Sequence, residues 1–344
     1  MLYLKHVTYC LSLITAILFG TNSAAYEQDT AYADTNASAN NKVCAIYPHL
    51  KDSYWISVNY GMVTEAKNKG INLKVFESGG YPNINKQRIQ LMNCRQWGAD
   101  AIILGTVSPD AYMGQIEQII GDIPLFSTVN KLLVSEEEQS NLKGQVGVDW
   151  YWMGYYAGQY LAQKHPTGSG IVRVGWLPGP KTSGGTKPST QGFFDAIEHS
   201  DVVIMRTFWA DNDKELQRNL IQQVLEVPNI DYIVGGAVAI EAAISETRAV
   251  GRNRDIGLIS TYLSHGVYRG LLRNKVLFAP TDKMVMQGKL SVQQAYAYLN
   301  DKEFQTKMSP KIEKLTSHSL EQTIIEDSLS PSEFRPIFST GTQK

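Results

Sequence analysis

Apolar positions along this chain fall into short runs separated by longer stretches of helical periodicity. "VCAIYP" (Val43–Pro48) is a continuous apolar run with the length and β-branched content of a buried strand. Apolar positions then recur at helical spacing from Ser57 to Lys69 and stop at Gly70, a helix-ending residue. The alternation repeats. "INLKVFES" predicts a strand, Asn85–Trp97 a helix, "ADAIILGT" a strand, "PDAYMGQIEQII" a helix and "IPLFST" a strand. A polar insert, "SEEEQSNLKG" (Ser135–Gly144), interrupts the pattern and reads as a solvated loop. After it, "GQVGVD" leads into the helix "WYWMGYYAGQYLAQK". Strands "GIVRVGWLP", "VVIMRTFWA", "IDYIVGG", "DIGLIST" and "VLFAPT" then alternate with helices, the last spanning about Val285 to Leu299. Strand and helix alternating at this spacing predict parallel sheets covered on both faces. The count predicts two five-strand α/β units in series, hence two doubly wound parallel-sheet lobes joined by a hinge.

The amino terminus departs from this pattern. Lys5 precedes an apolar run of about 13 residues, which ends in Ser23, Ala24 and Ala25. That reads as a signal peptide over residues 1–25, cleaved on export to the periplasm, and the run is short of the ~20 residues a membrane-spanning helix needs. Residues 26–40 are polar and aperiodic and read as a flexible leader. The lobes are expected at 41–148 plus 282–310 and at 149–281 plus 311–344. Losing one basic residue and no acidic one takes the net charge from −1 to −2. No basic stripe appears, which argues against a nucleic-acid partner. Cys44 and Cys94 survive cleavage, and export permits a disulfide between them, while two buried thiols are the other possibility.

Catalytic chemistry finds no foothold. The six histidines lack metal-ligand spacing, and no G-x-S-x-G elbow is present. "GPKTSGGTKPST" (Gly179–Thr190) fails the phosphate-loop pattern, because Gly185 follows Gly184 where Lys is required, and it reads as a cleft-edge loop. Aromatic residues are the richer signal. Ligands of open α/β sheets bind beyond the carboxyl ends of strands. The residues there include Asp52, Ser53, Tyr54 and Trp55, then Tyr81, Asn130, Asp149, Trp150 and Tyr262. Asp149 suits a helix cap and Asp52 a ligand contact.

The stretches "HLKDSYWISVNYGMVTEAKNKGINLKVFESGG", "KQRIQLMNCRQWGADAIILGTV" and "GVDWYWMGYYAGQYLA" resemble type I periplasmic binding proteins of the ribose-binding kind. The resemblance covers residues 42–300. It implies a hinged cleft for a small solute, without catalytic residues or cofactor. The sugar-gripping positions of the family are altered here. Asn130 and Ser189 stand where Arg is expected, Ala237-Val238 replaces an Asn-Asp pair, and Tyr262 replaces an Asp. A sugar would leave buried hydroxyls unpaired at about 1–3 kcal/mol each. Aromatic boxes instead favour methylated ammonium groups. Trimethylamine N-oxide (TMAO) offers three positively polarised methyls and an acceptor oxygen. The family includes a periplasmic sensor of TMAO that signals to a membrane sensor histidine kinase. The resemblance implies that Trp55, Tyr81, Trp150 and Tyr262 box the methyls, with Tyr54 and Asp52 assisting and Trp55 facing them in preference to Tyr54. A transport-type binding protein serving a permease is the alternative.

Overall fold

The computed structural model describes residues 41–341. The expected signal peptide and leader lie outside the described residues. Six parallel strands form the first sheet. They are β1 (Lys42–Tyr47), β2 (Asn72–Glu77), β3 (Ala101–Leu104), β4 (Leu125–Thr128), β5 (Leu142–Val146) and, from far along the chain, β11 (Lys307–Met308). Their order is β11-β5-β4-β3-β1-β2. Helices α1 (Ser53–Asn68), α2 (Ile84–Gln96) and the short α3 (Ile116–Ile120) connect them. The second sheet has four parallel strands, β6 (Val172–Gly179), β7 (Val202–Trp209), β8 (Tyr232–Gly235) and β9 (Gly257–Ser260), in the order β7-β6-β8-β9. Helices α4 (Trp150–Lys164), α5 (Thr186–Ile197), α6 (Lys214–Leu225), α7 (Ala237–Ala249) and α8 (His265–Leu272) accompany it. The expected five-plus-five division therefore becomes six plus four. β10 (Ala279–Thr281) leaves the second sheet after one bridge from Phe278 to Ile259, and pairs antiparallel with β12 (Glu313–Leu315).

α9 (Met284–Leu299) returns to the first lobe, where it packs along α1. A Cβ on Gly61 of α1 would lie 2.1 Å from the Val285 carbonyl oxygen, and one on Gly288 would lie 2.3 Å from that of Val58. The second lobe uses the same device between α4 and α5. A Cβ on Gly154 would lie 1.8 Å from the Ser189 oxygen, and one on Gly192 2.0 Å from that of Tyr151. The chain leaves the first sheet after β5 (147–149), comes back to pack on α1 between β10 and α9 (282–283), and leaves the first sheet again between β11 and β12 (309–312). A final helix, α10 (Gln322–Ser328), precedes the closing segment. That segment, grouped with the second lobe from sequence, ends against the first. Val75 N–H donates to Phe338 O, and Thr340 N–H to Leu73 O, along the free edge of β2.

The strands cross the core as expected from their apolar runs, with β3 and β4 buried throughout. The expected helix over "PDAYMGQIEQII" shrinks to its last turn. Glu138, from the acidic insert, accepts the backbone N–H groups of Gly114 at 2.7 Å and Ile116 at 2.6 Å. A buried carboxylate thus satisfies donors that an earlier helix start would use. Cys44 and Cys94 form a disulfide, with Cα atoms 5.8 Å apart, tying α2 to the central strand β1. The bridge closes 50 residues of chain. Replacing Cys94 with Ser is expected to lower unfolding stability by about 2–4 kcal/mol, measured by denaturant titration of oxidised wild type and variant. Equal midpoints would show that the crosslink contributes nothing.

Candidate functional site

The first turn of α1 sets one wall of the interlobe cleft. Asp52 caps this helix, its Oδ1 accepting from Tyr54 N–H at 3.1 Å and Trp55 N–H at 3.2 Å. The helix therefore begins at Ser53, four residues before the expected start, and both aromatics belong to its opening turn. Side chains on successive helical residues diverge by about 100°. Tyr54 therefore turns toward the second lobe while Trp55 stacks on Tyr47 at 5.6 Å. Trp55 presses so closely on β3's end that a Cβ on Gly105 would meet its ring at 2.5 Å.

One cavity brings together Asp52, Tyr54, Trp55, Tyr81, Trp150 and Tyr262, the six residues singled out from sequence. Tyr54 is the ring common to most of its contacts. Its centroid lies 5.9 Å from Trp55, 6.1 Å from Trp150 and 5.4 Å from Tyr262. Trp150 and Tyr262 stand edge to face at 6.1 Å. These separations are those of packed aromatic pairs, so the rings hold one another in place. Tyr81 follows the Gly79–Gly80 turn, whose φ angles of 85° and 143° favour glycine. Its ring is buried rather than exposed, and its hydroxyl accepts from Asn130 Nδ2 at 3.4 Å. Trp150 opens α4, which Asp149 caps through Tyr151 N–H. The indole N–H reaches the Val129 carbonyl at 3.5 Å.

Space open to water centres in the cavity is about 40 Å³. A water molecule needs roughly 10–15 Å³ on this measure, so a solute of a few heavy atoms suits it. Burial pushes the Tyr54 and Tyr262 phenols well above their ordinary range and Tyr81 up to about 12. All three are neutral O–H groups at neutral pH. The Tyr262 hydroxyl is buried facing the Val238 backbone N–H, with no acceptor for its own proton among the described residues. Across the rim, Lys51 of the first lobe faces Asp211 and Asp213 of the second at 4.0 and 3.9 Å. The Lys51–Asp213 pair is exposed and contributes little on its own.

Residues not singled out also line the cavity. Asn212 follows β7, a strand end of the kind searched, and was legible by the same rule. Pro180, Ser183 and Thr186 come from the glycine-rich cleft-edge loop, whose last residues begin α5.

The sequence matches, over residues 40–335, the family described as periplasmic binding proteins and sugar-binding domain of the LacI family. It is 42% identical over 301 residues to the periplasmic protein TorT of Escherichia coli strain K12, covering 86% of this chain and 84% of that one. A solved complex of TorT with the TorS sensor domain, determined without ligand and with TMAO, is 62% identical with a TM-score of 0.83. The match covers 87% of this chain and 100% of the other. An ABC transporter solute-binding protein of Bradyrhizobium sp. BTAi1, solved with bound bis-tris, is 36% identical with a TM-score of 0.72, over 88% of this chain and 90% of that one. The parallel sheets, the two lobes and these matches agree: the chain belongs to the periplasmic binding protein family.

Proposed function

We propose that this protein is a periplasmic sensor that captures TMAO in the aromatic cavity and signals to a membrane kinase through a TorS-type sensor domain. The carrying observation is a small cavity walled by Tyr54, Trp55, Tyr81, Trp150 and Tyr262, with Asp52 at its edge. Ring faces attract the polarised methyls, at about 0.5–2 kcal/mol per ring when desolvated. The Tyr262 hydroxyl supplies a donor for the oxide, an acceptor that its proton otherwise lacks. Family relatives at 62% and 42% identity are TorT proteins, whereas the transport protein matched stands at 36%. That ordering favours sensing over delivery to a permease. Ligand bound between lobes favours one lobe arrangement by its difference in affinity for the two, and the altered surface is what the kinase reads.

Calorimetry with TMAO on the purified exported chain tests the binding. Saturable heat and a raised melting temperature are expected; neither appearing would sink the reading. Tyr262→Phe gives a sharper result. Removing a buried hydroxyl whose proton lacks an acceptor stabilises the ligand-free protein by up to about 1 kcal/mol, while TMAO binds roughly tenfold more weakly. Melting curves and calorimetry read the two effects, which must have opposite signs. Both moving together would exclude Tyr262 as the oxide donor.

A further inference from the structure

The crossing segment at 282–283 touches the box through a buried polar group that the ligand reading leaves unused. Asp282 is fully buried. Its Oδ2 accepts the Tyr54 hydroxyl at 2.5 Å and Gln287 Nε2–H at 2.8 Å. Gln287 Nε2–H also donates to the Asp282 backbone carbonyl at 2.9 Å. A carboxyl oxygen can accept both donors, and burial holds this carboxyl above the usual carboxylate range, so a positive charge nearby is what would favour its ionised form. Its other oxygen, Oδ1, is buried without a hydrogen-bond partner among the described residues. A buried carboxylate left partly unpaired is costly unless positive charge lies nearby. No salt bridge to Asp282 accompanies these contacts among the described residues, although the adjacent Lys283 pairs with Glu313 at 3.7 Å. The missing positive charge has a place to sit, because the ring that Asp282 holds lines the box.

We propose that Asp282 is a positioning and specificity-determining residue: it fixes the Tyr54 ring and sets a second carboxylate behind the box, selecting a methylated ammonium over a neutral group of the same shape. This rests on the TMAO reading above. Asp52 supplies charge at the edge of the cavity, and Asp282 supplies it from behind an aromatic wall. The placement also links the box to a passage between lobes. Tyr54 touches Trp150 and Tyr262 of the second-lobe side, and its hydroxyl is tied to the segment that joins the lobes.

The test compares TMAO with tert-butyl alcohol, an isostere without its formal N⁺–O⁻ charges, by tryptophan fluorescence titration of the full exported chain. Asp282→Asn is expected to weaken TMAO at least about tenfold and tert-butyl alcohol by no more than about twofold. Equal loss for both ligands, or no loss for TMAO, overturns the proposal. Tyr54→Phe keeps every ring of the box and removes only the tether. It should weaken TMAO about fivefold, and unchanged affinity there overturns the proposal even if the Asp282 variant fails to fold. Wild type that ignores TMAO overturns the underlying reading and this assignment with it. Wild type that binds while both variants match it overturns this assignment alone.

Discussion

Gly154→Ala lowers the melting temperature by about 4–5 °C, from a loss near 3 kcal/mol in a chain of this size. Alanine ordinarily improves a helix interior by about 0.5–1 kcal/mol over glycine. Here that gain is outweighed. The added Cβ would stand 1.8 Å from the Ser189 carbonyl oxygen and 2.6 Å from its carbon. Those atoms are the backbone of α5, and no rotamer change moves them aside. The two helices must separate, and the separation opens the core beneath them, where Met153, Ala157 and Leu161 are buried. Trp150 sits one turn before Gly154 on the same helix, so the box should be disturbed as well. Thermal unfolding followed by circular dichroism checks this. A melting temperature at or above wild type would show that the helices have slack at their crossing.

Trp150→Ala weakens TMAO binding by at least about thirtyfold, a loss of about 2 kcal/mol or more, without unfolding the protein. The indole is only partly buried, and its N–H bond to Val129 is long at 3.5 Å. Its removal therefore leaves no strong buried donor or acceptor stranded. What it does remove is one wall of the cavity, the edge-to-face partner of Tyr262 and the tilted partner of Tyr54. The expected pattern is a circular dichroism spectrum and melting temperature close to wild type, with calorimetric heats that no longer saturate at wild-type concentrations. Affinity within twofold of wild type would place the methyls elsewhere.

Much of this architecture is legible in the chain. Helix α4 runs from Trp150 to Lys164, the span that its aromatic and alanine periodicity predicts. Local pattern suffices there because the helix has its own cap and its own apolar face. Helix α1 starts at Ser53, four residues before the start its apolar spacing predicts, because Asp52 is its cap as well as a cavity residue. Its capping bonds to Tyr54 and Trp55 show that one carboxylate can serve an N-terminus and still line a cavity. Helix α3 and the six-plus-four division were hidden for a different reason. Both depend on distant partners, Glu138 in one case and the β10–β12 pairing in the other, and periodicity carries no information about them. The aromatic cluster could be found because strand ends point at the cleft. Asp282 also follows a strand end, but nothing in "FAPTDKM" signals that its carboxylate meets a tyrosine 228 residues away.

The crossing of α1 and α9 has a mechanical consequence. Gly61 and Gly288 bring two backbones into contact, with no side chain between them to bend or change rotamer. The first turn of α1 carries Tyr54 and Trp55, and α9 starts two residues after Asp282. A rotation at the crossing segment therefore cannot be absorbed by side-chain give between the helices. The opening turn of α1, with its two rings, and the segment at 282–283 are therefore held in one register through backbone contact inside the first lobe.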